Sequence, residues 1–122
     1  MDWDEATKAP VPVAKLQATN YKLQGSIQII PTVFITNVCI QKIDSAQIGK
    51  LAVHMYKLIL EINQLNNLNP IPEIQIDCDW TAATREKYFL LLNNFKLQTT
   101  NLKLSCTIRL HQIKYATKTG IP

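Results

Sequence analysis

The chain has 122 residues, 47% of them hydrophobic and 18% charged, with three Gly, six Pro and a formal net charge of +4. This bounds it to one globular domain and excludes collagen-like, low-complexity and disordered classes. A closed barrel of eight strand–helix units, which takes about 250 residues, is excluded by length, and no apolar run approaches the roughly 18–20 residues of a bilayer span.

Residues 1–26 read as a lead-in. Pro10-Val11-Pro12 forces extended backbone and Gly25-Ser26 punctuates the chain, while Tyr21 and Leu23 suit a short edge element. The opening Met1-Asp2-Trp3-Asp4-Glu5 lacks the basic and apolar regions of a secretory signal. The expectation is a protein that stays inside the cell unless an exporting segment precedes this sequence.

The rest, 27–122, alternates strands with helices. Ile27 to Thr36 is β-branched and nearly continuously apolar, as a strand buried on both faces reads, with ladder pairing expected only after Pro31. Asp44 or Ser45 can cap a helix whose stripe Ile48, Leu51, Ala52, Met55, Ile59 and Ile62 falls at offsets of 3, 4, 7, 11 and 14. His54 lies with Lys50, Lys57 and Glu61 on the opposite, solvated face. Asn66-Asn67 and the residues up to Pro72 end that helix. A second strand is expected over Glu73–Asp79, then Thr81 as N-cap and a helix with the inner stripe Tyr88, Leu91, Leu92 and Phe95. A third strand is expected from about Leu102 to Ile113. The order predicts an α/β fold, β-α-β-α-β, with parallel strands and both helices on one side of the sheet.

Basic residues are scattered, and no block of five like charges occurs. Nucleic acid is therefore not expected as a partner. The three cysteines, Cys39, Cys78 and Cys106, are widely spaced, form no C-x-x-C pair and have no matching His pair, so they read as small buried hydrophobes rather than zinc ligands. Phosphate-loop, nucleophile-elbow and dinucleotide signatures are missing from the sequence, and no cofactor is implied.

The most informative feature is the alternation in strands two and three. Ile74, Ile76 and Cys78 oppose Gln75, Asp77 and Asp79, and Leu104, Cys106, Ile108 and Leu110 oppose Ser105, Thr107, Arg109 and His111. One face suits helices, and the other is too polar for an ordinary core. That polar face either meets water or lines the mouth of a barrel, where parallel strands present their carboxyl ends. Asp77 and Asp79, roughly 7 Å apart along a strand, are the candidate acid/base or ligand-orienting groups. Arg109 and His111 are their electrostatic partners, Gln112 is a further ligand contact, and Trp80 is a stacking platform or simple packing.

Three runs carry a resemblance: Glu73-Ile74-Gln75-Ile76-Asp77-Cys78-Asp79-Trp80-Thr81, Thr84-Arg85-Glu86-Lys87-Tyr88-Phe89, and Leu104 to Tyr115. With a weaker likeness over Pro31–Asn37, they resemble an uncharacterised family of bacterial, mostly Bacteroidetes, glycoside-hydrolase-like barrel proteins. The resemblance implies a TIM-type (β/α) barrel of which this chain is an N-terminal portion of three strands and two helices, with carbohydrate as ligand. Chitinase-type glycosidases carry a strand ending D-x-D-x-E; Asp77 and Asp79 match its aspartates, but Thr81 stands at the acid position. A second expectation, of another class, is a small non-catalytic α/β interaction or structural module. It predicts a stable monomer, whereas a barrel portion predicts self-association through exposed sheet edges.

Overall fold

The computed structural model describes residues 1–16, 28–68 and 70–122. Its centre is a three-stranded parallel sheet in the order β3 (Thr32–Phe34), β4 (Glu73–Asp77) and β5 (Lys103–Ser105), preceded by an antiparallel pair of β1 (Asp2–Asp4) and β2 (Ala9–Val11). The α/β class and the parallel order agree with expectation. Among the described residues the sheet is open, with β3 and β5 at its edges, and no closed barrel forms.

Pairing along β3 begins after Pro31, whose carbonyl accepts from Gln75 N at 2.9 Å while its nitrogen has no proton to give. The chain then turns into α1 (Asn37–Lys42), capped by Thr36, whose hydroxyl accepts from Cys39 N at 3.2 Å. This short helix was not anticipated. Asp44 does cap, but its carboxylate takes Ala46 N at the head of a 3₁₀ turn, Ser45–Gln47, that leads into α2 (Ile48–Leu65). The stripe on α2 is inward as expected: Ile48, Leu51, Ala52, Met55 and Ile59 are buried, while His54 is exposed. Left-handed Asn67 follows the end of this helix.

α3 (Arg85–Gln98) starts later than expected. Thr84, not Thr81, is its flanking residue, and Thr81 closes the preceding turn by accepting Arg85 N at 2.9 Å. Tyr88, Leu91, Leu92 and Phe95 are all buried against α2 and the inner faces of Ile35, Ile74 and Ile76. Tyr88 also donates its hydroxyl to Ile76 O at 2.7 Å, tying helix to strand.

The third strand is much shorter than its alternation suggests. β5 ends at Ser105, residues 106–109 run on without a ladder, and the chain enters α4 (Leu110–Lys114) and α5 (Ala116–Thr119). Arg109 is therefore the residue before a helix, and His111, Gln112 and Ile113 are helical rather than strand residues.

The first residues do more than lead in. Asp4 closes the β1–β2 turn by accepting from Ala6 N, Thr7 N and Thr7 Oγ1. Met1 bridges β3, its amino group donating to Phe34 O at 2.7 Å and its carbonyl accepting from Thr36 N at 3.1 Å. The suggested edge element at Tyr21 and Leu23 lies outside the described residues. No helix among the described residues is long and apolar enough to cross a membrane.

Candidate functional site on the open sheet face

Because β4 alternates, the face turned away from α2 and α3 carries Glu73, Gln75 and Asp77. Register places Thr32 and Ser105 beside Gln75, Phe34 beside Asp77, and Lys103 beside Glu73. Among these rows the charges are largely paired. Lys103 Nζ lies 3.0 Å from Glu73, which also accepts from the Ser105 hydroxyl, and these bonds hold the Glu73 carboxyl below its ordinary range, Ser105 contributing most.

Asp77 is fully engaged. Oδ1 accepts from Thr107 N at 2.9 Å and Gln75 Nε2 at 3.1 Å; Oδ2 accepts from Thr107 Oγ1 at 3.1 Å and Gln75 Nε2 at 3.0 Å. A carboxylate offers about four lone-pair positions, so this one is spent on joining β4 to the segment after β5. Gln75 Nε2 reaches Thr107 Oγ1 as well, at 3.0 Å.

Asp79 lies two residues beyond, past the end of the ladder. Its Oδ1 accepts from Arg109 Nε at 2.6 Å, and the two side chains are 46% and 49% exposed. Among the described residues, Asp79 Oδ2 and the terminal nitrogens of Arg109 have no partner, so both remain available for a ligand. The structure thus brings Asp77, Asp79 and Arg109 to the carboxyl end of the sheet. His111 is exposed on α4 and bonds to neither aspartate.

Trp80 and Gln112 go elsewhere. Trp80 is wholly buried, stacked on Tyr88 with ring centroids 4.9 Å apart, edge-on to Phe89 at 6.0 Å, and donating Nε1 to Thr119 O at 3.0 Å. With no exposed surface it cannot serve as a stacking platform. Gln112 is equally buried, donating Nε2 to Trp80 O at 3.1 Å and accepting Arg109 N at 2.8 Å. Both amide atoms are used internally, so it is not a ligand contact. Its effect on the site is indirect: it fixes the backbone beside Asp79 and the backbone of Arg109 with one side chain.

Three participants went unassigned from sequence. Gln75 and Thr107 belong to the polar alternation, and their cross-strand partnership through Asp77 depends on register. Phe34, 44% exposed, is hidden in a strand whose continuous apolar run masks which side chain faces outward. Cys39 and Cys78 are buried, as expected, and burial pushes their thiols up to about 11 and about 12; Cys106 is only half-buried, and its thiol is also raised, chiefly by that partial burial. Comparison of the chain with protein-family models, curated proteins and solved structures finds no match to any of them.

Proposed function

We propose that this chain binds a carbohydrate on the open face of its sheet, as one wall of a glycoside-hydrolase-like (β/α) barrel. The observation that carries this reading is the placement of the Asp79–Arg109 pair at the carboxyl end of a parallel sheet whose helices, among the described residues, cover one face only. Parallel sheets are ordinarily covered on both faces, and in barrels of this type the uncovered ends of the strands form the site. A half-exposed carboxylate with one free oxygen, clamped beside a guanidinium with free N–H groups, offers an acceptor and donors together, as vicinal hydroxyls require.

Binding is favoured over hydrolysis. A glycosidase works with two carboxyl groups that both reach the substrate or its attacking water, and the oxygens of Asp77 are already occupied. Asp79 is then the one carboxylate of the pair poised for a ligand. The test is a glycan array followed by titration of the best glycan. Asp79→Asn should weaken binding about tenfold, the worth of a charged hydrogen bond, and chromatography should detect no released product. A wild-type chain that binds no glycan overturns the reading.

A further inference from the structure

We infer that Phe34 is the aromatic platform of the open face, and that the ligand it selects is a neutral pyranoside with a face of C–H bonds only. This rests on the carbohydrate reading above and names the class of sugar. The ring is placed by register: Val33 pairs with Ile76, which is wholly buried beneath the helices, so Phe34 and its partner Asp77 point to the opposite side. Met1 holds the backbone there through Phe34 O, so the ring stands on a fixed strand.

Its neighbours complete a surface of mixed character. Phe34 borders the Asp77–Gln75–Thr107 cluster, with Thr32 one pleat away on its own strand. The Gln75 carboxamide oxygen accepts no bond among the described residues, and it faces the same side as the ring. A flat apolar ring edged by amide and hydroxyl groups matches a sugar ring, which is apolar on its C–H face and polar at its rim. Charge argues for a neutral ligand. Glu73 is paired with Lys103 and Asp79 with Arg109, and Asp77 has spent its lone pairs, so among the described residues this surface offers no unbalanced cation to an acidic sugar.

The test is titration of the full chain by ¹⁵N NMR with two probes. Cellotetraose has β-glucosyl rings that expose only C–H bonds on both faces, and sialyllactose carries a carboxylate. Expected are shifts at Thr32, Phe34, Asp77 and Thr107 with cellotetraose, on the order of fivefold weaker binding in Phe34→Ala and Phe34→Leu, and near wild-type binding in Phe34→Tyr. Phe34 is exposed, so each variant should keep the wild-type spectrum, which the same experiment verifies. Unchanged affinity in Phe34→Ala, full retention by Phe34→Leu, or binding of sialyllactose alone overturns the platform and leaves carbohydrate binding standing. A wild-type chain that binds neither probe, and no glycan on the array, overturns both.

Discussion

Strand β4 serves two surfaces of opposite character. On one side Ile74 and Ile76 are sealed beneath α2 and α3, with Tyr88 bonded to the strand's own carbonyl. On the other, Gln75 and Asp77 lie in a half-exposed net of side-chain hydrogen bonds that no helix among the described residues covers. The first surface contributes stability through buried area. The second, screened by water, contributes little, so polar groups can be placed there for other purposes at small cost to folding.

The sharpest way to break this division is at Trp80, which follows Asp79 but belongs to the buried side. Trp80→Ala should cost about 3–5 kcal/mol of unfolding free energy, measured by denaturant titration. A loss under about 1 kcal/mol would mean that the indole is not part of the core. Gln112 is the hinge between the two surfaces. Gln112→Leu leaves Trp80 O and Arg109 N without their partner and should cost about 1–3 kcal/mol. It should also loosen the Asp79–Arg109 pair, seen as averaging of the Arg109 Nε proton signal, and an undisturbed signal would uncouple the two surfaces.

The smallest effect belongs to the open face itself. Glu73 has its folded value held below the ordinary glutamate value of 4.5, so its contribution is complete above that value and is lost as pH falls through the folded value. The stability difference between wild type and Glu73→Gln should therefore be level at neutral pH and shrink below about pH 4.5. A difference that grows with acid would contradict the paired geometry.

The buried surface was the more legible in sequence. The stripes on α2 and α3 repeat with helical period because half of each helix must face the sheet, and Pro31 announced where β3 pairing could begin. The open surface was legible as polar, but not in its connections. The alternation of Leu104, Cys106, Ile108 and Leu110 continues past Ser105, yet the ladder stops there, because Thr107 N bonds to the Asp77 side chain and Leu110 opens a helix. Leu110 is in fact 85% exposed. The β1–β2 hairpin escaped notice for a related reason: its turn relies on the Asp4 carboxylate and on a left-handed Lys8, with no glycine to advertise it. Trp80 and Gln112 were ambiguous in sequence because a polar or aromatic residue beside a strand end reads the same whether its partners are a ligand or the protein's own backbone; for Trp80 the packing alternative is the one its burial bears out.

The clasp at Asp77 has a geometric consequence. A backbone-to-backbone bond keeps two strands at a fixed spacing of about 4.8 Å, whereas a bond from Thr107 to a side chain sets the separation by the length of that side chain. Beyond Gln75 and Ser105 the two segments are thus joined like a fork through side chains alone, with Asp79 and Arg109 paired past the clasp. The width of that fork is written in the methylene count of residue 77: asparagine preserves it, and glutamate lengthens the spacer by one carbon.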